Sequence, residues 1–77
     1  MALLADATTT WSAPLTLPTD EIWQARHGSV FVTTTASPVA NDGLGLHETH
    51  AVRLPAGAVV RYRKEGAADA LIVHEAV

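Results

Sequence analysis

Apolar and polar residues alternate along much of this chain, in short runs separated by turn-forming residues. In the run 58–64, AVVRYRK, Val60 and Tyr62 alternate with Arg61 and Arg63. A period of two is typical of a β-strand with one buried face. The four prolines and five glycines break up every longer stretch that would otherwise suit a helix, because both residues disfavour helix interiors. The pattern therefore predicts an all-β protein.

The strand predictions follow the turn signals between the apolar runs. Pro, Asn, Asp and Gly cluster in 36–43, which predicts a loop. Strands at such spacing are typical of a small β-sandwich or barrel, and we predict about six or seven short antiparallel strands. The predicted segments are 14–18, 21–26, 29–35, 44–48, 50–54, 58–64 and 70–77.

The first thirteen residues differ from the rest of the chain. Apart from Trp11 and the apolar start of the chain, they are small and polar, so they have little to bury and cannot offset their own ordering entropy. We therefore predict an extended N-terminal arm over 1–13 and a single β domain over 14–77.

Composition indicates an interaction protein. The chain has 77 residues, 48% of them hydrophobic and only 17% charged. A domain of this size buries only about 60% of its unfolded surface, and contiguous exposed apolar surface usually marks an interface. With no cysteine to form a disulfide, we expect burial against other chains, including copies of itself in a trimer.

Charge and hydropathy exclude two classes of partner. With a net charge of −3 and five Lys and Arg in total, no basic stripe for nucleic acid is expected. No apolar run reaches the length of a transmembrane helix. The N-terminal sequence has neither the basic start nor the apolar length of a signal peptide, so we expect the protein to be assembled in the cytoplasm.

The sequence HETH, residues 47–50, is the main candidate for chemistry. A zincin helix needs histidines four residues apart with Glu after the first, but His47 and His50 are three apart. In an unbroken strand these two side chains point to opposite faces, and a two-residue turn at Glu48–Thr49 lacks the preferred Gly or Asn. We expect solvated histidines, no metal ligands and no cofactor.

No nucleophile motif accompanies His27 or His74, so we expect no catalytic residues and no enzyme. Candidate interface residues lie elsewhere in the chain. Arg61 and Arg63 share one strand face beside Tyr62 and suit either solvent or the carboxylates of a neighbouring chain. Trp23 is expected in the core. Trp11 is expected to be an anchor for another subunit.

Four stretches of the chain resemble the small β-rich virion proteins of tailed bacteriophages. They are GSVFVTTTASP at 28–38, DGLGL at 42–46, AVRLPAGAVVRYR at 51–63 and ADALIVHE at 68–75. The arrangement is most similar to capsid decoration (cement) proteins. The resemblance covers turn and strand pattern and carries no catalytic residues.

This resemblance implies a structural protein on the outer surface of a phage capsid. Its partners would be the major capsid protein and copies of itself. From the residues themselves we expect an interface that includes Trp11, Leu15, Leu17, Arg61 and Arg63. A head-fibre or tail component is an alternative. A cupin-like metal-binding protein using His47, Glu48 and His50 is another.

Overall fold

The computed structural model describes residues 2–39 and 42–77, which contain eight β-strands and no helix. Met1 of the predicted arm and residues 40 and 41 of the predicted loop lie outside the described residues. The all-β prediction is confirmed. The strands are β1 (Ala2–Leu4), β2 (Leu15–Thr16), β3 (Glu21–His27), β4 (Val30–Thr33), β5 (Leu44–Leu46), β6 (Ala51–Leu54), β7 (Val59–Lys64) and β8 (Leu71–Ala76).

The strands form two four-stranded antiparallel sheets. The first sheet has the order β1-β8-β3-β6 and the second has the order β2-β7-β4-β5. Strand pairing is nested, with β1 on β8, β2 on β7, β3 on β6 and β4 on β5. The chain is therefore one long hairpin that reverses between β4 and β5 and rolls into two layers, which is the connectivity of a jelly roll.

The core lies between the two sheets. From the first sheet it receives Trp23, Ala25 and Ile72, and from the second Val60 and Tyr62, among others. The rings of Trp23 and Tyr62 lie 5.9 Å apart between centroids. The expected core positions of Trp23 and Tyr62 are confirmed, because alternation along β3 and β7 turns both rings inward.

Two features of the fold differ from the sequence prediction. The described residues form eight strands rather than six or seven, because Ala2–Leu4 pairs with β8 as an additional strand. The structure also does not confirm an extended arm. Ser12 N–H donates to the carbonyl of Tyr62, and Lys64 N–H donates to the carbonyl of Thr8.

The reason for this difference lies in the outer edge of β7. The strand has more residues than its partner β2, which pairs only with Val59 and Val60. The rest of that edge carries backbone donors and acceptors that need partners. Residues 8–12 supply them, so the segment becomes an irregular continuation of the sheet edge.

Candidate functional site

The HETH segment forms the turn that carries the chain from the second sheet to the first. The N–H of His50 donates to the carbonyl of His47 at 2.9 Å, and Thr49 adopts a φ of 74°. The unbroken strand that would point His47 and His50 to opposite faces is not present, because β5 ends at Leu46 and a turn follows at Glu48–Thr49. Their rings lie 5.6 Å apart in an edge-to-face arrangement.

Contacts with β3 hold this turn in a strained conformation. A β-branched residue with positive φ is unusual, since its side chain crowds the backbone there. The N–H of Thr49 donates to the carbonyl of Ala25 at 2.7 Å, and the N–H of Ala25 donates to the carbonyl of His50 at 3.0 Å. Gln24 Nε2 donates to the carbonyl of Thr49 at 3.0 Å. These bonds compensate for the missing Gly or Asn.

Each polar side chain of the turn described below contacts one nearby polar group. His27 Nδ1 lies 3.2 Å from Glu48 Oε1, with both side chains more than half exposed. Ser29 Oγ lies 3.0 Å from His47 Nδ1. His50 Nδ1 accepts from the N–H of His47 at 3.3 Å. Within residues 2–39 and 42–77, no three His, Asp or Glu side chains are placed to hold a metal ion.

A second candidate site is the outward surface of the second sheet, which we call the arginine face: Thr16, Phe31, Val59, Arg61 and Arg63. Arg63 lies opposite Phe31 in the sheet register. Its guanidinium carbon lies 4.4 Å from the Phe31 ring centroid and 5.3 Å from that of Trp11. These cation–π contacts hold the charged group in place.

Trp11 packs against the loop between β4 and β5. Its Nε1 donates to the carbonyl of Val39 at 2.9 Å. A Cβ at Gly43 would lie 3.0 Å from the Trp11 ring and 2.8 Å from the carbonyl oxygen of Val32, and Gly43 has a φ of +98°. Glycine is therefore needed at 43 both for its conformation and for the approach of the indole.

The other predicted interface residues fall into different environments. The Nη1 of Arg61 donates to the carbonyl of Ser12 at 3.2 Å, and the side chain is half-buried. Leu15 is exposed at the sheet edge formed by β2. Leu17 is a core residue with 1% exposure, which leaves no side-chain surface for a partner. The structure thus brings Trp11, Arg61 and Arg63 together on one sheet and separates Leu17 from them.

Sequence analysis missed a buried polar cluster in the first sheet. Glu21 faces the core and is 6% exposed. Its Oε1 accepts from Trp23 Nε1 at 3.1 Å and lies 2.8 Å from His74 Nδ1. His74 stacks on Trp23 with ring centroids 4.8 Å apart. The alternation of Glu21, Trp23 and Ala25 along one strand face was the available signal.

Two further groups have altered acidity. Burial, with the hydrogen bond that the Tyr62 hydroxyl donates to Asp6 Oδ1 at 2.8 Å, raises the pKa of Tyr62 to about 12. The pKa of the exposed Asp20 carboxyl is lowered by the N–H of Ala56 and then by the guanidinium of Arg53. Each group forms a hydrogen bond between distant parts of the chain: Tyr62 with Asp6, and Asp20 with Ala56 and Arg53.

An apolar cleft opens between the sheets where β5 and β6 form the two sheet edges. Its volume is about 330 Å³, and its walls include Val32, Thr35, Leu44, Val52 and Leu54. Leu44 points toward the gap yet is 56% exposed. The sandwich is therefore incompletely closed on this side.

The fold and these surfaces define a small jelly-roll domain whose most distinctive polar feature is an ordered pair of arginines beside aromatic rings. The chain matches no protein-family model, no curated protein and no solved structure. Among the described residues, no helix has the length and apolarity needed to cross a membrane.

Proposed function

We propose that this protein is a structural virion protein that binds the outer surface of a tailed-phage capsid and stabilises the shell. The proposal begins from the resemblance of residues 28–75 to decoration proteins. It is supported by the amount of large apolar surface that the small domain leaves exposed: Leu3, Leu15, Ile22, Val39, Leu44, Val59 and Val77. These side chains are available to pack against another chain.

The observation that carries the proposal is the arginine face. Val59 is 44% exposed. It lies on the same face of β7 as Arg61 and Arg63, since the three are two residues apart. Trp11 and Phe31 hold Arg63 in position before any partner arrives. A pre-organised guanidinium loses less conformational freedom on binding, and its fork geometry suits carboxylates. We infer that the face binds an acidic, partly apolar surface of the major capsid protein.

Stabilisation of the shell follows from mass action. A protein that binds only the assembled lattice lowers the free energy of that lattice relative to its dissociated subunits. Many copies act together on one shell, so even modest binding at each site makes the shell more resistant to heat. In this role the protein needs no catalytic residue and no cofactor.

The experiment compares binding of variants to shells assembled from the capsid protein of the encoding phage. Val59→Glu places a carboxylate beside the arginines and should reduce occupancy at least about tenfold, since it would compete for the guanidinium groups and repel the carboxylates of the capsid. Ala67→Glu, in the exposed turn between β7 and β8, is the matched control and should bind like wild type. Melting temperatures of both variants establish that each folds.

Unchanged occupancy of the Val59→Glu variant would show that another surface contacts the shell. Wild-type protein that binds purified tails or fibres and ignores capsids would move the proposal to the alternative virion location.

A further inference from the structure

The outward surface of the first sheet carries opposite charges on either side of an exposed isoleucine. Ile22 on β3 lies opposite Arg53 on β6 and opposite Glu75 on β8. Since β3 lies between β6 and β8, the three side chains form one row across the sheet. Ile22 is 40% exposed, and both charged residues are exposed.

The next row on this surface is uncharged. Gln24 lies opposite Ala51 and opposite Val73, and Val73 lies opposite Leu3 on the edge strand β1. Leu3 is 57% exposed. The row through Ile22 therefore has an apolar centre with one cation and one anion on either side of it, and Arg26 is a further exposed cation near the end of β3.

This arrangement is complementary to itself under one particular symmetry. A two-fold axis in the contact plane, running along β3, exchanges the positions of β6 and β8 between two facing copies. Arg53 of each copy then lies over Glu75 of the other, and Ile22 packs on its counterpart. A two-fold axis across the strands would place Arg53 over Arg53 and Glu75 over Glu75, which is repulsive. The charges thus select a single orientation.

We propose that two copies of this protein pair face to face through the outer surfaces of their first sheets, with Ile22 at the centre and reciprocal Arg53–Glu75 ion pairs. The inference goes beyond the proposed function, and its two-fold pair differs from the trimer expected from the sequence. The pairing leaves the arginine face, on the opposite side of the sandwich, free for a capsid.

Arg53 already has one partner within its own chain. Its Nη2 donates to Asp20 Oδ2 at 3.3 Å, with both side chains largely exposed. A guanidinium has five N–H donors, so this single bond leaves others directed elsewhere. Asp20 Oδ1 also accepts from the N–H of Ala56 at 2.8 Å, which holds the carboxylate beside the arginine.

The area available sets the strength of the pairing. Under this two-fold only β8, β3 and β6 overlap, and three strands about 4.8 Å apart with seven residues at about 3.3 Å give at most roughly 330 Å² per copy. Two copies together would cover at most about 700 Å², below the roughly 1,200 Å² at which stable interfaces begin. The pair is therefore weak and forms at high protein concentration.

Sedimentation equilibrium of the full chain over a wide concentration range tests the pairing. Wild type should dimerise with a dissociation constant of roughly 10 µM to 1 mM, typical of a small interface. Arg53→Glu and Glu75→Arg should each weaken self-association roughly tenfold or more, because two exposed attractive pairs become repulsive. An equimolar mixture of these two variants should pair like wild type, since each carries the charge that the other needs.

Glu65→Arg is the matched control, because Glu65 is exposed in the turn after β7 and outside the row. Its self-association should equal that of wild type, and circular dichroism establishes that every variant folds. Recovery in the mixture also shows that the single variants were folded.

Three results would overturn the inference: a wild type that stays monomeric at millimolar concentration, a mixture that does not recover pairing, or a trimer unaffected by both charge reversals. Capsid binding is measured separately with dilute monomer, so failure of pairing leaves the proposed function standing.

Discussion

Replacing Trp11 by alanine should destabilise the isolated domain substantially. On sequence alone, Trp11 belongs to a mobile arm, so its loss should weaken attachment to a partner and leave folding nearly intact. In the structure the indole bonds to Val39, packs against Gly43 and covers the Arg63 guanidinium. The expectation is therefore reversed: the folded domain itself depends on this ring.

Three contributions set the size of the effect. Loss of the hydrogen bond to Val39 costs about 0.5–1.5 kcal/mol. Loss of the cation–π contact with Arg63 costs about 0.5–1 kcal/mol at a partly exposed site. Half-burial of an indole removes roughly 100 Å² from water, worth about 2.5 kcal/mol. The total of about 3.5–5 kcal/mol is a large share of the roughly 4–12 kcal/mol expected for a domain of this length.

Urea unfolding followed by far-ultraviolet circular dichroism measures this effect without relying on tryptophan fluorescence. With a slope near 1 kcal/mol per molar urea, Trp11→Ala should lower the unfolding midpoint by about 3 M or more. Trp11→Phe keeps most of the ring and loses the N–H donor, so it should lower the midpoint by only about 1 M. A midpoint within 0.5 M of wild type for Trp11→Ala, by the same approximate slope, would show that residues 8–12 are not part of the folded domain.

Three other predictions concern the turn and the core. Thr49→Gly should raise the free energy of unfolding by about 0.5–1 kcal/mol, because it relieves the strain of a positive φ and loses part of that gain to chain entropy; a lower melting temperature would contradict this. The pKa of Tyr62 is raised to about 12 from 10.0. The contribution of Tyr62 to the free energy of unfolding should therefore be fully present below pH 10 and be lost as the pH rises toward 12. Tyr62→Phe should lose that pH dependence in denaturant titrations, and an equally steep decline in the variant would assign it to other groups. Changing both His47 and His50 to alanine should cost less than about 1 kcal/mol, since the bonds lost are exposed. Native mass spectrometry should show no stoichiometric zinc in wild type, and zinc that the double variant loses would restore the metal-binding alternative.

Most of the strand-forming segments after residue 13, and the inward faces of β3 and β7, were predictable from the sequence. Alternation in 58–64 correctly places Tyr62 in the core and Arg61 and Arg63 together outside. The same reasoning places Trp23 in the core. These results depend on the two-residue period of a strand, which is a local property of the chain.

Only the tertiary structure shows where a segment lies when its hydrogen-bond partners are distant in sequence. Residues 8–12 look mobile when considered alone, because the carbonyl of Tyr62 and the N–H of Lys64 that they bond are fifty or more residues away in sequence. The HETH turn likewise depends on partners distant in sequence. Ala25 and Gln24 on β3 supply the hydrogen bonds that compensate for the positive φ of Thr49. Turn propensity without those partners predicts a strand there.

The candidate sites also required the tertiary structure. Phe31 and Trp11 enclose Arg63 only because β4 lies beside β7 and the N-terminal segment crosses the same sheet. The row of Arg53, Ile22 and Glu75 exists only because β3 lies between β6 and β8. The physical reason is the same in each case: local sequence determines which way a side chain faces on its strand, whereas long-range strand pairing determines which side chains become neighbours.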